Sequence, residues 1–187
     1  SPGFPADVLV RDGVIAEVGT DVSAPTGVET IDATDRVVTP GFVDVHTHYD
    51  AQVFWDPDLT PSLHHGVTTV VAGNCGFSIA PIGADGVGLL ARTLQHVEDM
   101  SLDTLTVGVP WDEFETFGEY LDAVERRSPA LNFGCYIGHT ALRLWAMGDD
   151  AYERDPTADE LTRMRDTVAE AIAAGAIGFA TSASPTH

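Results

Sequence analysis

From Gly41 onward the chain alternates between short β-branched apolar runs and longer stretches of helical spacing, and few folds accommodate that pattern. The apolar runs occupy residues 42–48, 67–72, 132–137 and 176–181. Helical spacing is expected over residues 87–96. It is also expected at Phe114, Phe117, Leu121 and Val124, behind an Asp112-x-x-Glu115 capping pattern. A third helix carries Leu161, Met164, Val168 and Ile172 behind Pro156, Thr157 and Glu160, with Gly175 placed to end it. Repeated strand-then-helix units bury apolar faces as a parallel sheet with right-handed crossovers. Four such units make an α/β structure that reads as the first half of a (β/α)8 barrel. A complete barrel of this type takes roughly 250 residues, so it is expected to be unfinished at residue 187.

The first forty residues have a different texture. Residues 7–18 alternate around Arg11-Asp12-Gly13, a hairpin pattern, and residues 28–31 and 36–38 are expected to add two short strands. Thr39-Pro40-Gly41 breaks the pattern. The expected organisation is a small β domain over residues 1–40, then the first four βα units over residues 41–187.

A net charge of −20 makes nucleic acid and anionic membranes poor partners. No apolar stretch approaches a membrane span and no secretory leader is visible, which together give a cytoplasmic expectation. Two cysteines do not make a disulfide framework in a chain of 187 residues. All nine basic residues are arginine.

The chemistry concentrates in Gly41-Phe42-Val43-Asp44-Val45-His46-Thr47-His48. Residues two apart share a strand face, so Asp44, His46 and His48 point one way and Val43, Val45 and Thr47 the other, toward covering helices. Two imidazoles at the carboxyl end of a barrel strand lie where barrel enzymes keep their active sites, and imidazole suits zinc. The alternative is a pair of hydrogen-bonded core histidines.

The segment from Val37 to His48 resembles the opening barrel strand of the amidohydrolase superfamily. Gly73-Asn74-Cys75-Gly76-Phe77-Ser78 and Gly138-His139-Thr140-Ala141-Leu142-Arg143 are similar to the N-acyl-D-amino-acid deacylases, the D-aminoacylases. The resemblance extends over nearly the whole chain, including the hairpin and Gly175-Ala176-Ile177-Gly178-Phe179. It implies part of a small β-sandwich domain, built from both chain ends, leading into the barrel. It also implies a site for one or two Zn2+ ions, with the His46–His48 pair as ligands. Cys75 ends the second expected strand, where a thiolate can reach the same centre, and the family's cysteine ligand maps onto it. Relatives that bridge metals with a carboxylated lysine have no counterpart in these 187 residues, which contain no Lys. The alternatives for Cys75 are a small buried residue or a nucleophile.

Further readings attach to single residues. His139 is a candidate to contact substrate or to hydrogen-bond a metal ligand, and Arg143 a candidate to pair with a substrate carboxylate. Their alternatives are a structural hydrogen bond and a surface salt bridge. Asp50 is a candidate to support the site through hydrogen bonds; Cys135 reads as core, and His64, His65 and His96 as surface or packing residues. His187 has no assignable role.

The resemblance implies hydrolysis of the amide of a small N-acyl-D-amino acid. The general-base Asp and two further His ligands are expected beyond residue 187, in the C-terminal half of the same enzyme, so the fragment alone is expected to be inactive. Two alternatives stay open. A cyclic-amide hydrolase of the hydantoinase or dihydroorotase kind would be favoured by a metal-bridging Lys after the fourth strand, and residues 176–182 contain none. A metal-free amidohydrolase-fold scaffold is disfavoured by His46, His48 and Cys75.

Overall fold

A computed structural model describes residues 3–98 and 100–183; His187 lies outside the described residues. The chain divides into two units, Ser1–Pro40 and Gly41–His187. The first contains one antiparallel hairpin, β1 (Asp7–Arg11) with β2 (Val14–Gly19). Asp12 and Gly13 form its two-residue turn with φ of 52° and 74°, the doubly positive geometry whose twist matches that of the flanking strands. A register shift beside Leu9 opposes Val10 to Ile15 but Leu9 to Glu17, leaving Ala16 as a bulge.

The two further strands expected at residues 28–31 and 36–38 do not form. The Asp32 carboxylate accepts from the Thr34 amide at 2.9 Å and its hydroxyl at 2.7 Å, and Arg36 N–H reaches Ala33 O. That turn occupies the middle of the segment, and no described strand offers its flanks a ladder.

The second unit is α/β. Strands β3 (Phe42–Asp44), β4 (Val67–Ala72) and β5 (Asn132–Cys135) form a parallel sheet in that order. Strands β6 (Ile137–Gly138) and β7 (Phe179–Ala180) form a second parallel pair. The single strand expected over residues 132–137 is broken at Tyr136, because the chain changes partner there. Tyr136 N–H still donates to Ala72 O, whereas Ile137 N–H donates to Gly178 O. The first strand also ends its ladder earlier than expected, at Asp44. Val43 and Val45 are exposed, at 57% and 66%, where cover by helices was expected.

Among the described residues, six α-helices connect the strands: α1 (Thr60–Leu63), α2 (Val87–Glu98), α3 (Leu102–Gly108), α4 (Phe117–Arg127), α5 (His139–Met147) and α6 (Ala158–Ala174). Strand β4 supplies Val70 and Ala72 to the core, and Leu59, Ile79, Leu90, Leu105, Tyr120 and Ile137 close around them. The capping box of α4 is Thr116 with Glu119 instead of Asp112 with Glu115. Glu119 accepts from the amides of Glu115 and Thr116, and residues 110–113 form a separate turn in which Glu113 N–H donates to Pro110 O. Helix α6 begins with the expected Thr157–Glu160 box and ends at Gly175, whose φ is 119°. Its buried face is Met164 and Ala171, while the expected stripe members Leu161 and Ile172 are 48% and 46% exposed.

Hydrogen bonds from the Arg154 guanidinium, then from the Thr157 amide, lower the Glu160 carboxyl from its ordinary 4.5 to about 2. A carboxylate harder to protonate when folded contributes stability that is complete above its unfolded value and is lost as pH falls through about 2. Glu160→Gln is therefore expected to destabilise the protein at neutral pH, with the difference from wild type closing between pH 4.5 and 2. Equilibrium unfolding measured across that range checks this; an unchanged difference at pH 2 contradicts it.

Candidate metal centre

His46 and His48 lie just past β3, where the backbone no longer pairs at every residue but stays attached to β4 through Thr47 N–H to Val71 O at 2.9 Å. Alternation survives the end of the ladder. Thr47 is buried, whereas His46 is exposed and His48 half-buried, with ring centroids 5.4 Å apart. Asp44, on the histidine side by the same alternation, accepts from His46 N–H at 3.2 Å.

Cys75 arrives from β4 through a tight turn, Asn74–Gly76. Gly73 opens the turn at φ 74°, and a Cβ there would stand 2.1 Å from Tyr136 O. Cys75 itself is left-handed at φ 57°, an uncommon conformation for a residue with a side chain. Gly138 lets α5 begin against the same turn; a Cβ on it would meet Gly76 O and Ser78 N, each at 2.6 Å. The Ser182 hydroxyl, just past β7, donates to Cys75 O at 2.9 Å.

These turns bring together the three residues that the sequence marks as candidate ligands. One donor atom from each of His46, His48 and Cys75 lies within 4.8 Å of the other two, and the Cys75 sulfur is 3.0 Å from His46 Nε2. A zinc ion bonds imidazole nitrogen at about 2.0–2.1 Å and thiolate sulfur at about 2.3 Å. Donors this closely grouped fit around one ion with small side-chain rotations, and two imidazoles with a thiolate suit a borderline metal.

The remaining candidates sit in distinct surroundings. Asp50 is 5% exposed and accepts from the Cys135 thiol at 3.6 Å, while its carbonyl accepts from Tyr120 OH at 3.1 Å. Burial, then the Asp50 charge, pushes the Cys135 thiol well up, so it stays protonated and donates. Burial also pushes the Tyr120 phenol well up, with Cys135 and Asp50 adding to the effect. Cys135 is core as expected, and its partner Asp50 was not legible. Tyr120→Phe takes a donor from the buried Asp50 carbonyl and is expected to cost about 1–3 kcal/mol, measurable as a shift in the denaturant midpoint.

His139 begins α5; its Nδ1 is 3.0 Å from Thr181 Oγ1 and its ring meets Phe179 edge-on. Arg143, a candidate to pair with a substrate carboxylate, donates to main-chain carbonyls in this structure. Its Nε and Nη2 donate to Ala151 O, and Nη2 also to Arg154 O, so the guanidinium pins the turn at Gly148–Tyr152. Nothing in Gly138–Arg143 signals that contact, because the acceptors are main-chain carbonyls. His64, His65 and His96 are exposed, as expected. Nothing in the sequence marks Thr47, Asn74, Thr181 or Ser182: each has a common residue type, and its contacts appear only where strand ends meet.

The chain is 41% identical over 184 residues to the D-aminoacylase of Alcaligenes xylosoxydans xylosoxydans, a match covering 98% of this chain and 35% of that protein. A solved D-aminoacylase with a binuclear metal centre superposes with a TM-score of 0.80 at 40% identity, covering 100% of this chain and 36% of that one. The N-acyl-D-glutamate deacylase of Bordetella bronchiseptica, solved with zinc and a phosphonate that mimics the tetrahedral intermediate, gives a TM-score of 0.74 at 35% identity, with coverages of 97% and 35%. The chain thus spans about a third of the length of these relatives. The amidohydrolase family model matches residues 29–186, taking in both strand ends that carry the His and Cys donors, and the chain belongs to the amidohydrolase family.

Proposed function

We propose that this chain is the metal-binding N-terminal part of a zinc-dependent hydrolase that removes the acyl group from N-acyl-D-amino acids. The convergence of His46, His48 and Cys75 within 4.8 Å carries the reading. Likeness over nearly the whole chain to a D-aminoacylase supports it. On this reading the parallel strands after Gly41 are the first part of a (β/α)8 barrel, and residues 1–40 part of a small β domain. Later sequence in the same protein supplies the remaining ligands and the general base.

His46, His48 and Cys75 hold one or two zinc ions. Zinc held there would supply Lewis acidity, lowering the pKa of water toward about 7. Asp50 anchors the turn that follows His48, through Tyr120 and Cys135. His139, steadied by Thr181 and Phe179, is placed to meet the substrate at the strand ends. Arg143 holds the turn at Gly148–Tyr152 and remains the candidate to pair with the substrate carboxylate. The substrate is a small molecule; the charge of −20 disfavours nucleic acid and anionic lipid as partners, and no helix of the described residues is long and apolar enough to cross a membrane. Both cysteines are free, as suits a reducing cytoplasm.

The test is hydrolysis of paired N-acyl-D- and N-acyl-L-amino acids by the full-length protein, with metal content measured in parallel. Release of free D-amino acid that stops on chelation and returns with zinc is the expected result. Turnover of hydantoins or dihydropyrimidines without acyl-amino-acid hydrolysis would move the assignment to cyclic amides. A protein with neither zinc nor affinity for it would be a scaffold.

A further inference from the structure

The β3–β4 ladder ends at the Asp44–Val70 pair, before either histidine, and β4 itself ends at Ala72, before the cysteine. The three donors therefore stand on backbone outside the regular sheet, and something else must set their spacing. One atom gathers the contacts that do so. The Val71 carbonyl oxygen accepts from Thr47 N–H at 2.9 Å, Thr47 Oγ1 at 2.8 Å and Asn74 Nδ2 at 2.8 Å. The same Asn74 amide nitrogen reaches Thr47 O at 3.4 Å.

We propose that Asn74 and Thr47 are positioning residues that set the separation between Cys75 and the His46–His48 pair, an inference that rests on the metal-site reading. Thr47 is the residue between the two histidines, and Asn74 directly precedes Cys75. Each is buried, at 7% and 9% exposure, so water competes little for these bonds. Both acceptors of the Asn74 side chain are carbonyls, which assigns its NH2 group to that side. An aspartate could not replace it, since an ionised carboxylate has no proton to donate. The left-handed Cys75 adds the energetic reason. A non-glycine residue in that region is strained and persists only where its surroundings over-determine it. The Asn74 bonds before Cys75, and the Ser182 bond to its carbonyl, do this from two sides.

Cobalt substitution in the full-length protein tests this, because thiolate ligation gives a sulfur-to-cobalt charge-transfer absorption that reports Cys75 directly. Asn74→Ala is expected to weaken cobalt binding about 10- to 100-fold, the range for losing a partner that orients a ligand, and to reduce the charge-transfer intensity per bound ion. Thr47→Val is expected to shift both the same way, and Thr47→Ser, which keeps the hydroxyl, to restore them. A purely structural role would move the unfolding midpoint of the metal-free protein and leave affinity and absorption unchanged, and that result overturns the proposal. Should Asn74→Ala not fold, the Thr47 pair decides: equal cobalt affinities for Thr47→Val and Thr47→Ser overturn it. A wild-type protein that binds cobalt without the absorption, or binds none, instead overturns the ligand reading on which the proposal stands.

Discussion

Cys75→Ser is expected to strip the full-length protein of at least part of its zinc and to lower kcat/KM by about 10³-fold or more, beyond the roughly 10²–10³ lost with a single donor at a reaction centre. Serine keeps the size of cysteine, so the turn is retained, but a hydroxyl does not deprotonate to bind zinc as a thiol does. The three roles open to Cys75 separate cleanly here. A ligand loses metal and activity together. A nucleophile loses activity and keeps the metal. A packing residue keeps both and changes only the unfolding midpoint. His46→Ala and His48→Ala are expected to follow the first pattern, because their rings complete the same donor group. Zinc stoichiometry, kcat/KM and metal-free unfolding measured side by side distinguish these outcomes.

Gly73→Ala is expected to be the most destabilising single methyl in the vicinity of the site, at about 3–5 kcal/mol. Two costs combine. The backbone is left-handed at φ 74°, and the new Cβ would lie 2.1 Å from Tyr136 O and 2.9 Å from the Tyr136 carbonyl carbon and amide nitrogen. These are main-chain atoms at the point where the β5–β6 segment changes sheets, so no side chain can rotate away. Gly88→Ala is the control: it lies in α2 with nothing within 4 Å of its Cβ position, and it is expected to be neutral or to stabilise by about 0.5–1 kcal/mol. Denaturant midpoints of the two variants test the contrast; a Gly73→Ala cost close to that of Gly88→Ala refutes it.

Legibility in the sequence followed how local each determinant was. Strand β4 could be read to the residue because a β-branched run lies between Gly66 and Gly73, both at positive φ. The α6 capping box and Gly175 were legible for the same reason, since cap and partner are three residues apart. Two similar boxes competed ahead of α4, and Thr116–Glu119 prevailed over Asp112–Glu115 because the chain between Pro110 and Glu113 closes a turn of its own. The break at Tyr136 depends on Gly178, some forty residues away, and no local pattern announces it. The candidate donors were legible from residue type and from the family resemblance. What holds them was not: the Asn74 bonds span 3 and 27 residues and depend on strands meeting in register. Arg143 gives a second case, a charged side chain whose carbonyl partners lie 8 and 11 residues on and carry no signal in the sequence.

The left-handed backbone at Cys75 also limits what could succeed it in the descent of this protein or in redesign. Asparagine, aspartate and histidine visit that region several-fold more readily than other side-chain-bearing residues, while long or branched side chains are disfavoured. An exchange of the cysteine for a carboxylate at this position has an open mutational path through aspartate. An exchange for lysine would first have to remake the turn.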